Sequence, residues 1–376
     1  MNVLFIIIAA FAVIAVSAVT IFVTPFDTTI PLPVPRETFK DNKNNTNSGV
    51  LLVAQNLEVP WAIDIAKDGR IFFTERMGRI RIIDAQGKLI DEPAANIRVE
   101  QTAEGGLLGL ALHPNFTENH LLYVYYTYAN KSKLYNKVLM LREKENKIIE
   151  SKVVIDSIPG AQVHDGGRIK FGPDGKLYIS TGDATIPELA QNTKSLAGKI
   201  LRLNSDGTIP NDNPFLGSPV YSYGHRNVQG MAWHSKTKQL YATEHGSSGN
   251  DEINIIKAGS NYGWPLEECK GSGQFEASEF CFNPAIAPTG VTIPTNDKLG
   301  YQNDLIFTTL KGSHLRDIDL KSRTQSNILV GYGRLRDVIE AHDGSLFVLT
   351  SNKDGRGITQ TNDDKILRLL KPDYTS

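Results

Sequence analysis

The sequence predicts an all-β fold, a six-bladed β-propeller of four-stranded antiparallel sheets, and three observations lead there. From Val50 onward an apolar strand, a tight polar turn, a second strand and a polar loop keep returning. The turns fall near residues 68, 174, 237 and 343, at separations of 106, 63 and 106. Those intervals fit a unit of roughly 50–60 residues, with some units hidden, and helical periodicity is scarce beyond the first two dozen residues. About six units fill the roughly 325 residues available, and radial closure of such sheets leaves few open edges. A β-sandwich is the competing architecture, but its strands do not repeat an inner-strand signature this regularly.

The elements follow in order. Val3 to Val23 carries no charge and is almost wholly apolar, enough for about 30 Å of hydrocarbon at about 1.5 Å per residue. Residues 1–24 are read as a transmembrane anchor, with a cleaved secretory signal as the alternative; no Lys or Arg precedes the run and it exceeds a usual signal core. Either reading puts the rest of the chain in an extracytoplasmic location. Residues 25–49 are rich in Pro, Asn, Thr and charge and form a flexible tether. Residues 50–376 form the propeller. Its clearest units are Ala62 to Glu75 around Asp68-Gly69 and Arg168 to Asp183 around Pro173-Asp174-Gly175. Gln229 to Glu244 and Val338 to Thr350, around Asp343-Gly344, repeat the pattern.

Charge is balanced, with 40 Lys and Arg against 41 Asp and Glu and a net charge of -1. Nothing suggests a nucleic-acid partner, which favours a basic face. Cys269 and Cys281 stand twelve positions apart in a loop-like stretch. In an oxidising compartment they are expected to form a disulfide, a metal pair being the weaker reading because no His or second Cys pair accompanies them. Sequons at Asn44, Asn115 and Asn130 fit an exported chain.

Chemistry concentrates first in His164-Asp165-Gly166-Gly167-Arg168, followed by Gly182-Asp183. The hairpin between them places His164 at the head of one strand and Asp183 past the tail of its partner, so a base, a guanidinium and a carboxylate emerge at one end of a sheet. The bland alternative is a polar cluster that satisfies strand ends. Three further groups lead into apolar runs: Glu104-Gly105-Gly106, Gly224-His225-Arg226-Asn227 and Arg334-Leu335-Arg336-Asp337. In a propeller these loops share one mouth of the central channel. Arg226, Arg334 and Arg336, joined by Lys311, would then surround a multiply anionic ligand, since guanidinium forks match carboxylates. Taken singly, each Arg is equally an ion pair with a nearby acid such as Asp337.

These words, with Glu244-His245-Gly246, Asp251-Glu-Ile-Asn254 and Asn261-Tyr-Gly-Trp-Pro265, resemble the quinoprotein glucose/sorbosone dehydrogenases, in particular the soluble aldose sugar dehydrogenases that use pyrroloquinoline quinone (PQQ). The likeness runs from about Leu57 to Leu369. It implies PQQ lying in the propeller mouth, His164 as general base, and Asp183 as its orienting carboxylate, with Arg226 beside them. Glu104, Asn227, His245, Lys311, Arg334 and Arg336 would contact the cofactor, together with His164 and Arg226. Backbone carbonyls of Gly246 and Ser247 would hold a Ca²⁺ that also chelates PQQ, and Glu252 and Tyr262 would bind a second, structural Ca²⁺. Glu104 and His245 stand where some relatives carry Gln. The reaction implied is oxidation of an aldose sugar at its anomeric carbon to a lactone, with hydride transfer to PQQ and electrons passed on to a quinone or small redox protein.

Other chemistries lack their signatures. No G-x-G-x-x-G follows a strand, and no Walker A, H-E-x-x-H or G-x-S-x-G is present. The competing classes are a Ca-dependent propeller hydrolase or lactonase and a non-catalytic carbohydrate-binding propeller. The first calls for axial Asp, Glu and Asn, the second has no use for a His–Asp pair beside four cations. His225 and His234 read as structural, and Trp61, Trp233 and Trp264 as blade-core aromatics.

Overall fold

The computed structural model describes residues 49–371. The expected anchor, nearly all of the tether and the Asn44 sequon lie outside the described residues. Among those described, no helix is long and apolar enough to cross a membrane.

Among the described residues, twenty-four strands form six four-stranded antiparallel sheets, the six blades of a propeller. Their first, innermost strands are Pro60–Ile65, Leu107–Leu112, Ile169–Phe171, Val228–Trp233, Pro288–Thr292 and Leu335–Glu340. Blades 1 to 5 are built in chain order. Blade 6 takes its fourth strand from the start of the domain: Val50–Ala54 pairs with Ile366–Leu369, Val50 opposite Leu369. Closing the ring with the first strand leaves the domain no open end.

Local chemistry sets the hairpins. Asp68, Asp174 and Asp343 each accept, on Oδ1, the backbone N–H two residues on, at 3.0, 3.1 and 3.1 Å. A side chain that mimics a backbone turn in this way fixes the chain reversal. In blade 4 His234 takes that part, its Nδ1 accepting from the Lys236 amide at 3.1 Å. The strands so positioned are buried on both faces between neighbouring blades, as Ile71–Glu75, Leu177–Ser180 and Leu346–Thr350 show along their whole length.

The channel axis is filled by polar side chains. Arg168 Nη1 lies 2.6 Å from Asp337 Oδ2, with side-chain exposures of 2% and 3%. Arg168 Nε donates to the Gln229 carbonyl at 2.9 Å, its guanidinium lies 4.4 Å from the Trp61 ring centroid, and Asp337 Oδ2 also accepts from the Ile63 amide at 3.2 Å. Blades 1, 3, 4 and 6 are thereby tied together. This corrects the sequence reading of Arg168 as part of a catalytic layout: its charge is spent on Asp337. It also corrects the expected partner of Asp337, which is Arg168 rather than the adjacent arginines.

Candidate active site

His164 and Asp183 meet as the hairpin predicts. His164 Nδ1 lies 2.9 Å from Asp183 Oδ1. Asp183 is 1% exposed and also accepts from the Thr185 amide and from Trp264 Nε1, each at 2.8 Å. A carboxylate can only accept, so Nδ1 carries the imidazole proton and Nε2 presents its lone pair. His164 itself has φ +65. Two contacts hold that left-handed backbone: its N–H donates to Glu104 Oε2 at 3.1 Å, and its carbonyl accepts from the Ala184 amide at 3.2 Å. A Cβ on Gly182 would lie 1.8 Å from the His164 carbonyl oxygen, so only glycine admits the His164 loop there.

Beside the dyad a cavity is lined by Glu104, Asp165, Gly166, His245, Arg336 and Arg356, with Trp61, Arg76, Gln229 and Asp354 among the rest. Glu104 is gripped from two sides, by the His164 N–H and by Arg356 Nη1 at 2.6 Å. Burial raises its pKa, but those two bonds outweigh burial and bring it to about 2. Asp165 is pushed up to about 6 by burial, against hydrogen bonds from Asn136 and the Ala161 amide. Burial, with Arg334 and Arg76 close by, lowers Arg336 to about 10 despite Asp354. Burial also lowers Arg76 and His245. Cations made costly by burial and crowding are stabilised by an anion placed among them.

The other expected residues divide. Arg226 donates through Nη1 to the His245 carbonyl at 3.0 Å and lies 5.3 Å from the Trp264 ring centroid. Asn227 commits its Oδ1 to the Gly166 amide at 3.0 Å and Gln229 Nε2 at 3.1 Å, bracing the His164 loop. Arg334 is held by Asp354 Oδ2, through Nε at 2.8 Å and Nη2 at 2.7 Å, so for this residue the ion-pair reading holds with Asp354 as the acid. Lys311 is exposed and does not line the cavity; its neighbour Leu310 does. His225 is structural as expected, bonded to Glu244 at 2.9 Å and Ser222 at 2.8 Å and stacked on Tyr262. Trp264 and Trp61 are not mere blade filler, since one orients Asp183 and the other floors the cavity. Sequence reasoning missed Arg76, Gln229, Asp354 and Arg356 altogether.

Two tests of fit concern bound groups. Arg76 Nε, Arg226 Nε, His245 Nε2 and Arg336 Nε are buried without a hydrogen-bond partner. Arg76, His245 and Arg336 line the cavity and suit a flat polycarboxylate such as PQQ, whereas Arg226 lines the separate small cavity beside Glu252 and Trp264. Among the described residues no group of three or more His, Cys, Asp or Glu is arranged to hold a metal, so a Ca²⁺ here would rest largely on main-chain oxygens. The Gly246 and Ser247 carbonyls accept no hydrogen bond among the described residues. Tyr262 spends its hydroxyl on the Ile255 carbonyl at 2.7 Å and the Lys257 amide at 2.8 Å, leaving its carbonyl as the oxygen to offer. Glu252 is pushed up by burial and by Glu244, and accepts from Asn254 Nδ2 at 2.9 Å and from the Cys269 amide. Cys269 and Cys281 form the expected disulfide, with Cα atoms 5.6 Å apart.

The propeller mouth thus sets a half-buried histidine on a fully buried aspartate, beside a cavity lined by buried arginines. The chain belongs to the glucose/sorbosone dehydrogenase family, whose profile matches residues 57–367. It is 31% identical over 337 residues to the aldose sugar dehydrogenase YliI of Escherichia coli, covering 81% of this chain and 91% of that one. To quinoprotein glucose dehydrogenase B of Acinetobacter calcoaceticus it is 35% identical over 269 residues, 63% of this chain and 55% of the relative. The PQQ-bound aldose sugar dehydrogenase of Streptomyces coelicolor superposes with a TM-score of 0.78 at 37% identity, covering 85% of this chain and 97% of that one.

Proposed function

We propose that the protein is a PQQ-dependent aldose sugar dehydrogenase, oxidising the anomeric carbon of an aldose to the lactone. The observation that carries this reading is the His164–Asp183 dyad beside a cavity ringed by unpaired buried donors. His164 Nε2 takes the proton of the anomeric hydroxyl, and Asp183 steadies the imidazolium that forms. Trp264 and Thr185 keep the Asp183 carboxylate aimed, while Glu104 and the Gly182 notch keep His164 in place. Arg76, Arg226, His245 and Arg336 would hold the carboxylates of PQQ, and Arg334 braces Arg336 through their shared Asp354. Lys311, exposed next to the cavity-lining Leu310, would be a further cation for the cofactor at the rim. Bound PQQ would supply the hydride acceptor, with Ca²⁺ on the Gly246 and Ser247 carbonyls polarising it. Glu252 and the Tyr262 carbonyl would serve the second, structural Ca²⁺. The Cys269–Cys281 disulfide supports placement in an oxidising, extracytoplasmic compartment, with residues 1–24 anchoring the domain to a membrane.

The test uses the full chain in detergent, stripped of metal. It is expected to be inactive alone and to oxidise aldoses with an artificial acceptor once PQQ and Ca²⁺ are restored. Equal turnover with NAD and no PQQ would overturn the reading.

A further inference from the structure

The segment after Trp264 carries a carboxylate that the proposed chemistry does not use. Glu268 Oε1 accepts the Ser247 amide at 2.8 Å, and Oε2 accepts the Ser247 hydroxyl at 2.6 Å. The next residue, Cys269, donates its amide to Glu252 and is bonded covalently to Cys281, which sits opposite Glu252 in the outer strand of blade 4. Glu268 is thus fixed to blade 4 one residue from a covalent staple. From the other side Asp251 takes the Gly246 amide on Oδ1 at 3.0 Å, and its Oδ2 takes the Ile286 and Ala287 amides, each at 2.7 Å.

Peptide geometry turns these contacts into an aiming device. The bond between Gly246 and Ser247 is planar and trans, so the Gly246 carbonyl points opposite to the Ser247 N–H. Fixing that N–H on Glu268 therefore fixes the direction of the Gly246 oxygen, away from Glu268. We propose that Glu268, stapled by the Cys269–Cys281 disulfide, is a positioning residue that aims the Gly246 carbonyl and so sets the affinity of the Gly246–Ser247 loop for Ca²⁺. This rests on the reading that those carbonyls bind Ca²⁺. Cys281 is exposed, so reductant reaches the staple without unfolding the domain.

The experiment is a calorimetric Ca²⁺ titration of the full-length, PQQ-free, metal-stripped protein and its variants, in which the binding event that Glu252→Gln abolishes is set aside as the second site, with unfolding midpoints in chelator to verify folding. Glu268→Ala should weaken Ca²⁺ about tenfold, the usual scale for losing a group that orients a metal ligand. Glu268→Gln should restore affinity to within about threefold, because its amide oxygen still accepts the Ser247 N–H while its NH₂ can donate to the hydroxyl. Reduction, or the Cys269→Ser/Cys281→Ser pair, should weaken Ca²⁺ several-fold with Glu268 intact, which keeps the test open if Glu268→Ala fails to fold. Glu276→Gln, in the same segment but bonded to Lys257 and Ser260, should change nothing. If Glu268→Gln binds as weakly as Glu268→Ala, charge and not aim is at work and the proposal falls. Unchanged affinity in Glu268→Ala and in the reduced protein sinks it too while leaving the Ca²⁺ reading standing; a wild-type protein that takes up no Ca²⁺ removes both.

Discussion

Asp183→Asn is the sharpest probe of the dyad, because it alters charge with almost no change of shape. Asp183 receives three donors in the folded protein: His164 Nδ1 at 2.9 Å, the Thr185 amide at 2.8 Å and Trp264 Nε1 at 2.8 Å. Asparagine keeps one acceptor oxygen and gains a donor. If its NH₂ takes the Trp264 side, donor faces donor; if it takes the His164 side, the Thr185 amide loses its acceptor and the imidazole must turn to its other tautomer, which blocks Nε2 as a base. In both orientations the imidazolium formed during proton abstraction loses its counter-charge. Unit charges roughly 4 Å apart at an effective dielectric near 20 attract by about 4 kcal/mol, which is about 10³-fold in rate at about 1.36 kcal/mol per decade. The assay is kcat for an aldose at saturating PQQ and Ca²⁺ with a dye acceptor, alongside the PQQ Kd by fluorescence. Asp183 does not line the cavity, so Kd should stay within about threefold while kcat falls. A folded Asp183→Asn enzyme that keeps kcat within about threefold of wild type would refute the assignment of His164 as base.

Two further outcomes follow from buried charge. Arg168→Met should cost about 3–5 kcal/mol of unfolding free energy in urea, since Asp337 is left buried without its cation; a loss under about 1 kcal/mol would mean that the axial pair does not hold the blades together. Asp165→Asn concerns pH: an acid whose folded pKa is raised from 3.8 to about 6 binds its proton more tightly folded than unfolded, so its stabilising effect is full below pH 3.8 and is lost as pH rises to 6. The variant should therefore melt higher than wild type at pH 8 and lose that advantage at pH 4, and a melting difference independent of pH would contradict the buried-carboxyl argument.

How far the sequence reveals the fold depends on how each blade turns from its first strand to its second. Blades 1, 3 and 6 do so at Asp-Gly and blade 4 at His234 to Lys238, and these four turns reveal the repeat. Blade 2 replaces the turn with a short helix, Phe116–Asn119, and blade 5 with an irregular stretch over residues 293–304. Neither carries the local signal, so the period skips there. In the site the dyad is legible because the hairpin brings its members together over only 19 positions. Arg356 and Gln229 are not, because their partners come from other blades: Arg356 meets Glu104 across 252 positions, and Arg336 meets Gln229 across 107.

Arg76 is the instructive miss, because a local signal for it exists. Thr74, Ser180 and Thr243, near the ends of their second strands, are fully buried and donate their hydroxyls to inner-strand carbonyls of the next blade: Leu108, Val228 and Thr289. Such pegs fix how far each second strand rises beside its neighbour. Two residues past each peg stand Arg76, Gly182 and His245. In blades 1 and 4 that position sends a cationic or imidazole side chain into the cavity. In blade 3 it is glycine, because the His164 carbonyl lies where a Cβ would have to be. The side chain missing from the third blade is thus supplied by His164, brought in by the loop that leads into the blade's first strand and held at a left-handed φ by Glu104. A buried hydroxyl followed two residues later by Arg or His marks a mouth residue, and glycine in that place marks where the chain admits His164.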